Sequence, residues 1–151
     1  MAQQTESHPQ PHAGSSLQAT GRPVVYSTQG VISSGHYLTS MAGMRMLLGG
    51  GNAFDALVAA GFAAAVTEPT AAYSLAAEGV FMLYHPESGD LLALSGQGTA
   101  PRRATAEWFR SQGHDAIPTG PGPLAPLAFT VPGVVHGYLS LLERYGTKSV
   151  A

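Results

Sequence analysis

A corner of three consecutive glycines at residues 49–51 constrains this chain more than any other feature of its sequence. An apolar segment precedes it, and residues 53–66 after it are almost all apolar and rich in alanine. Glycine adopts positive φ at a helix end without a Cβ penalty, and Asn52 then offers its side-chain oxygen to the free N–H groups of a new helix. The pattern predicts two helices joined by a tight corner, with another backbone packed closely against the alanine-rich second helix.

The predicted second helix is apolar on every side, and Asp55 in its first turn is its only charge. A helix that is apolar all round is buried all round. The alternative is a membrane span, which needs about 20 apolar residues. This run is shorter, because Asp55 and Glu68-Pro69 close it off. We therefore expect a core helix that is covered on all its sides.

The overall composition excludes several classes of function. The chain has 151 residues, enough for one domain with a core, and it carries 7 basic and 9 acidic residues without a basic run. We therefore expect neither nucleic acid nor a membrane among its partners. The chain contains no cysteine, so its chemistry uses no disulfide and no thiolate.

The first 23 residues are polar and offer little to bury, so we expect a disordered tail at residues 1–23 and a folded part at residues 24–151. A signal peptide would need a basic start and an apolar stretch of about 7–15 residues. Neither is visible here, which leads us to expect a cytoplasmic protein. His8 and His12 lie in the tail without a third ligand nearby, which favours a solvated surface over a metal site.

The remaining patterns predict an α+β chain. Short β-branched runs at residues 24–27 and 30–33 predict strands or extended segments, and a first helix follows from Ser34 or Gly35. Residues 80–85 and 91–95 flank a turn and predict a hairpin whose two faces are both covered, because both runs are nearly continuously apolar. Helices are also expected at residues 104–112 and from residue 131 to Tyr145. The apolar stripe predicted for the first helix comprises Leu38, Met41, Ala42 and Leu48, with Arg45 as a polar interruption.

One polar side chain, Gln97, stands between Gly96 and Gly98 where the second strand of the hairpin ends. Glycines on both sides let a ligand or another backbone approach closely, but they are equally typical of a simple tight turn. The sequence leaves these alternatives open. Gln97 is therefore a candidate binding residue.

Four stretches of the chain carry a family pattern in the right order. They are residues 30–36 with Ala42-Gly43, residues 49–56 with Gly-Gly-Asn-Ala-x-Asp-Ala, residues 96–101, and residues 131–133 with 143–147. Together they resemble the N-terminal part of the gamma-glutamyltranspeptidase (glutathione hydrolase) family. The resemblance runs from about residue 30 to residue 151, and the second stretch is a specific signal by itself.

The resemblance implies an N-terminal nucleophile (Ntn) hydrolase with an αββα sandwich, made as a precursor that cuts itself before a threonine. That threonine attacks a γ-glutamyl amide, its own α-amino group acts as the base, and the acyl group passes to water or to an amine. An N-terminal amine with a pKa of about 7.7–8.0 is suited to this task. No metal or other cofactor is implied.

In the family, the nucleophile lies far beyond the position of Ala151, and neither Thr67 nor Thr70 matches it. The resemblance thus implies the N-terminal portion of an incomplete sandwich, with no catalytic residue of its own and no turnover when alone. Its partners would be the remainder of its precursor, the small subunit, and a small-molecule amide substrate. We expect the isolated chain to expose apolar area and to aggregate or stay partly molten.

The chain departs from the family pattern at two places. Gln97 stands where the family commonly has an arginine that holds the α-carboxylate of the glutamyl group, and a neutral amide cannot form that bidentate, charge-assisted pair. Glutamyl specificity is therefore open, although a related amide substrate remains compatible. The loop at residues 74–79 has alanines where the family has glycines, which either reshapes a pocket or is structurally neutral.

Two functional hypotheses follow. The first is a fragment of a threonine-dependent amidohydrolase, and the second is a truncated, noncatalytic homologue that acts as a binding module or has no activity. Metal catalysis is a third and weaker idea, because no pair of histidines has helical or hairpin ligand spacing. The histidines concerned are His36, His85, His114 and His136.

Overall fold

The structure, a computed structural model, describes residues 23–70 and 73–150. Within these residues it contains four α-helices, one 3₁₀ turn and a two-stranded antiparallel sheet, which confirms the α+β prediction. Apart from Pro23, the predicted tail lies outside the described residues, as do His8 and His12. In chain order the elements are α1 (Tyr37–Leu48), α2 (Ala53–Thr67), β1 (Val80–His85), β2 (Asp90–Ser95), α3 (Ala106–Ser111), the 3₁₀ turn (Ala125–Ala128) and α4 (Val134–Tyr145).

The glycine corner has the predicted geometry. Gly50 has φ +75°, a conformation that favours glycine, and the Gly51 N–H donates to the carbonyl of Met46 at 2.8 Å. The Asn52 side chain then caps α2, accepting from the Asp55 N–H at 3.0 Å, while the Asp55 carboxylate accepts from the Asn52 N–H at 2.7 Å. This reciprocal capping box fixes the direction in which α2 begins.

Helices α1 and α2 pack closely through small residues, as predicted from the alanine-rich run. A Cβ on Gly43 would lie 3.0 Å from the Ala56 carbonyl oxygen and 3.4 Å from the Ala60 Cβ. The predicted apolar stripe of α1 is nevertheless wrong, because Leu38, Met41 and Leu48 are exposed. The contact with α2 selects the face with the smallest side chains, which buries Thr39 and Gly43 instead.

Within the described residues α2 is covered on only part of its surface, which agrees with the expectation that the isolated chain exposes apolar area. Helices α1 and α4 pack on it and bury Phe54, Ala56, Val58 and Ala64. Leu57 remains 37% exposed and Val66 80% exposed. Its apolar surface therefore exceeds what the neighbouring elements cover. No helix in the described ranges is long and apolar enough to cross a membrane.

The hairpin has one covered face and one open face. Its register runs from Val80 opposite Ser95 to His85 opposite Asp90. Phe81 and Leu83 point inward and belong to the core cluster, whose other buried members are Phe54, Val58, Val134 and Leu141. The outer face exposes Val80, Met82, Tyr84 and Leu91. The expectation that both faces are covered is therefore wrong for the described residues, although the strands lie where the sequence predicts them.

The segment before α1 forms no strand in the described part of the chain. Val24, Val25 and Tyr26 are exposed, and the Ser27 hydroxyl accepts from the Gly30 N–H at 3.3 Å in a turn. A β-branched run alone does not make a strand, because the ladder needs a partner. The described sheet supplies only β1 and β2, which pair with each other.

The carboxylate of Asp55, which is 2% exposed, joins the start of α2 to the segment that follows α4. It accepts from the Thr147 hydroxyl at 2.7 Å and from the backbone N–H groups of Thr147 and Lys148 at 3.0 Å each. The Asn52 side chain donates to the Tyr145 carbonyl at 2.6 Å beside it. Burial by itself would raise the pKa of Asp55, but the hydrogen bonds from Thr147, Asn52 and Lys148 outweigh it, so the pKa lies below its usual value.

We expect Asp55→Asn to lower the free energy of unfolding by about 1.5–3 kcal/mol at pH 7, because hydrogen bonds to a charged acceptor are lost. A carboxylate with a lowered pKa stabilises the fold fully above its unfolded pKa of about 3.9 and loses that effect as the pH falls through the folded pKa. Urea unfolding followed by helical circular dichroism at pH 7 and pH 3 measures both effects. The exposed Asp90→Asn is the control. Unchanged unfolding of the Asp55 variant at pH 7 would contradict the prediction.

The open face of the hairpin gives a second prediction. We expect the isolated chain to self-associate and to bind a hydrophobic dye, and Met82→Glu to reduce both while keeping the helical signal, because Met82 is 75% exposed. Leu83→Glu is the matched variant on the inner face and should instead lose the helical signal, because Leu83 belongs to the core. Sedimentation and dye fluorescence measure the two effects, and equal behaviour of both variants would refute this description of the sheet.

Candidate functional site

The predicted binding residue Gln97 lies where the sheet ends. Gly79 and Gly96 exchange backbone hydrogen bonds of 2.7 and 3.4 Å, which continues the β1–β2 ladder by one residue pair. Gln97 is the next residue, and its side chain is exposed. Its backbone N–H donates to the Ser95 hydroxyl at 3.4 Å. The site is therefore carried by the end of a strand that is anchored in the core.

The glycines around Gln97 make room for another backbone. The sequence left open whether they permit a close approach or form a simple tight turn, and the structure shows the close approach of another backbone segment. A Cβ on Gly98 would collide with the carbonyl oxygen of Val131, and one on Gly133 would lie 2.5 Å from the Gly96 carbonyl oxygen. The Val131 N–H also donates to the Thr99 carbonyl at 2.9 Å. The segment that leads into α4 thus presses against both sides of Gln97 and holds its backbone in place.

A cleft of about 480 Å³ lies beside this strand end. One wall is the loop that departs from the family pattern, since Ala76, Ala77 and Glu78 line the cleft, and the other wall includes Phe129 and Pro132. Glu78 is the only charged residue of the seven that line it. Ala76 is exposed and borders this open space, whereas Ala77 also packs against the core and its N–H donates to the Ser74 carbonyl at 3.1 Å in a turn.

Sequence reasoning missed Glu78 as a candidate site residue. The hairpin register is the signal that points to it: the observed pairs end at Val80–Ser95 and Gly79–Gly96, and one further step of the same register would bring Glu78 opposite Gln97. Directly opposite residues of an antiparallel pair point to the same face of the sheet. The exposure of both side chains agrees with this placement.

A second cleft, of about 320 Å³, lies between the segment after Pro101, α3 and the 3₁₀ turn. Its wall is mostly apolar and includes Trp108, Phe109 and Phe129, with Arg103 as its one charged residue. Phe129 borders both clefts. This second cleft contains no pair of groups suited to acid–base or nucleophilic chemistry.

Two of the histidines and one of the threonines weighed in the sequence make local structural contacts. The His36 ring accepts from the Leu38 N–H at 3.2 Å as the cap of α1, and the His85 ring lies 3.2 Å from the Ser88 hydroxyl. The Thr67 hydroxyl donates to the Ala63 carbonyl at 3.1 Å. In the described ranges, no three His, Cys, Asp or Glu side chains are grouped so that they could hold a metal ion.

The fold is similar to one part of a larger hydrolase. Gamma-glutamyltranspeptidase from Helicobacter pylori superposes with a TM-score of 0.72 at 38% identity, over 84% of this chain and 36% of that one. The described elements thus form the N-terminal portion of an Ntn-hydrolase fold, and the sandwich is incomplete in this chain.

The family profile described as Gamma-glutamyltranspeptidase matches residues 39–151, and the chain belongs to this family. The glutathione hydrolase proenzyme of Bacillus subtilis subsp. natto is 34% identical over 121 residues, which are 80% of this chain and 20% of that protein. The oxamate amidohydrolase proenzyme of Klebsiella pneumoniae is 38% identical over 117 residues, 78% of this chain and 21% of that protein. The chain therefore spans about a fifth of the length of these relatives.

The packing around Gln97 gives a prediction about backbone space. Gly98→Ala should push the segment before α4 away and weaken the bond between Val131 and Thr99, so that the Val131 amide exchanges with solvent about tenfold faster or more. Gly35→Ala is the matched control, because its new methyl group would meet only the end of the flexible Glu68 side chain. Hydrogen exchange measured by NMR compares the two variants. Unaltered exchange at Val131 in the Gly98 variant would contradict the described contact.

Proposed function

We propose that this chain is the N-terminal part of a gamma-glutamyltranspeptidase-like amidohydrolase, which hydrolyses γ-glutamyl or related amides or transfers the acyl group to an amine. The observation that carries the proposal is the family match over residues 39–151. Relatives named for glutathione hydrolysis and for oxamate amide hydrolysis support an amide as the reacting group.

The proposed reaction follows the chemistry that a threonine hydroxyl requires. A threonine beyond residue 151, freed as an N-terminus, attacks the amide carbonyl, and its α-amino group takes the hydroxyl proton. The bond from the threonine oxygen to the acyl carbon forms as the amine leaves with a proton, and water or an acceptor amine then releases the acyl group. This chain contributes binding surface and no catalytic group, and the reaction requires no cofactor.

Gln97 is the proposed acyl-binding residue. Its side chain is exposed at an anchored strand end, and its amide both donates and accepts hydrogen bonds. A neutral amide does not make the paired, charge-assisted bonds that an arginine makes to a carboxylate. The site is therefore expected to bind a free α-carboxylate weakly and to tolerate acyl groups that lack one.

The remainder of the precursor is the proposed partner of the open apolar surfaces. The outer face of the hairpin and the uncovered side of α2 expose Val80, Met82 and Val66. These surfaces lie on elements that otherwise belong to the core, so they are suited to packing against further strands and helices of the same precursor.

The test is to express the reading frame that contains this chain through to its stop codon. Two subunits on a denaturing gel, together with amide hydrolysis by the processed protein, would support the proposal, and release of glutamate from glutathione would identify a γ-glutamyl substrate. A frame without a processed threonine, or a processed protein that hydrolyses no amide, would overturn it and favour the noncatalytic homologue.

Gln97→Arg tests the acyl-binding role. A charge-assisted bond is worth about 1.5–3 kcal/mol, so the variant of the processed protein should gain about tenfold or more in kcat/KM for γ-glutamyl-p-nitroanilide. Gln112→Arg, at the exposed end of α3, adds the same charge elsewhere and should not change this value. A gain of the same size in both variants would argue against binding at Gln97.

A further inference from the structure

The end of the hairpin brings a carboxylate and a carboxamide together. Gly79 and Gly96 face inward, where a Cβ on either would lie 3.0 Å from the Phe81 ring. Glu78 and Gln97 come directly after this last bonded pair, and continuation of the same register by one step would place them opposite each other on the outer face. In an antiparallel pair the Cβ atoms of such residues are about 4.5–5.5 Å apart. One ligand group can therefore reach both side chains.

Both side chains are uncommitted. Across the described parts of the chain, neither Glu78 nor Gln97 uses its side chain in a hydrogen bond or an ion pair. The backbone between them is nonetheless held by the Gly79–Gly96 bonds and by the contact of Gly98 with Val131. A fixed backbone that carries two free polar groups is suited to recognition, because little conformational freedom of the main chain is lost on binding.

The charge of the pair selects one kind of ligand. Glu78 supplies one negative charge and Gln97 a neutral acceptor, and none of the seven residues that line the neighbouring cleft is basic. Arg103 lines the second cleft instead. A ligand carboxylate at this place would be repelled by Glu78. A primary ammonium group has three N–H donors, which can donate to the Glu78 carboxylate and to the Gln97 side-chain oxygen. Of the two residues only Glu78 lines this cleft, and the mostly apolar lining suits the methylene chain of a ligand bound at Glu78.

We propose that Glu78 and Gln97 form a recognition site for acyl groups that carry a primary ammonium group and lack a carboxylate at this position. The inference rests on the proposed function, because it assigns a substrate class to the same site. It makes Glu78 a specificity-determining residue, although it takes no part in bond breaking. Amides of 4-aminobutyrate belong to this class, because a 4-aminobutyryl group is a γ-glutamyl group without its α-carboxylate.

Binding to the protein from the complete reading frame tests the inference without any need for turnover. The probes are 4-aminobutyramide, neutral butyramide and anionic glutaramate, which share an amide and a short methylene chain but differ in charge. NMR titration should show 4-aminobutyramide shifting the Gln97 side-chain amide and Gly79, with an affinity about tenfold above that of butyramide, and glutaramate binding least. Glu78→Gln should remove the difference in affinity between 4-aminobutyramide and butyramide. Glu107→Gln, at an exposed position of α3, should preserve that difference.

A second measurement uses the processed protein from the complete reading frame. The ratio of kcat/KM for 4-aminobutyryl-p-nitroanilide over glutaryl-p-nitroanilide should exceed one and fall about tenfold in Glu78→Gln. The inference would be overturned if kcat/KM for the glutaryl compound equalled or exceeded that for the 4-aminobutyryl compound. An unchanged ratio in Glu78→Gln would also overturn it. Amide hydrolysis without this preference refutes the inference alone, whereas charge-selective binding without processing or hydrolysis refutes the proposed function alone.

Discussion

The buried carboxylate of Asp55 joins three parts of the structure, namely the glycine corner, the start of α2 and the segment that follows α4. Together with Asn52 it binds the carbonyl of Tyr145 and the N–H groups of Thr147 and Lys148, so the C-terminal end of α4 is tied to the start of α2. Helix α4 has 12 residues and is about 18 Å long. Its direction is set by the packing of Val134 and Leu141 in the core, and its N-terminal end presses against the strand that carries Gln97. A carboxylate remote from the site thus contributes to the position of the site.

The four stretches that carry the family resemblance contact each other in pairs. Asn52 and Asp55 of the second stretch bind residues 145–148 at the end of α4, and the glycines at residues 96–98 meet the Val131–Gly133 segment. Gly43, at the end of the first stretch, faces Ala56 of the second. These contacts are of two kinds. In one kind two backbones approach so closely that one partner is glycine, and in the other kind a polar side chain binds main-chain groups. Contacts of both kinds depend on residue identity more than on size, which explains why they appear as motifs in the sequence.

The sequence was sufficient for features that depend on local chemistry. The glycine corner, the Asn52 cap and the hairpin follow from backbone freedom, side-chain capping and strand pattern over a few residues, and the structure confirms them. It was insufficient where the choice of partner decides the outcome. The stripe of α1 was assigned to its large apolar residues, but the contact with α2 uses Thr39 and Gly43. Glu78 was missed because its relation to Gln97 exists only across the sheet, through a register that the sequence does not state.

The outer face of the hairpin is proposed both to pack against the remainder of the precursor and to carry the recognition site of Glu78 and Gln97. Val80, Met82 and Tyr84 form an apolar strip along β1, and Glu78 continues this strip at its end. Any element that covers the strip would also become a neighbour of the Glu78 carboxylate, so the proposed assembly and the proposed ligand selection would be coupled at one surface. A substitution that improves the fit of the covering element therefore changes the dielectric environment and the access path of the polar pair. Under these proposals, evolution of a new substrate preference at this surface would be constrained by the need to keep the assembly intact.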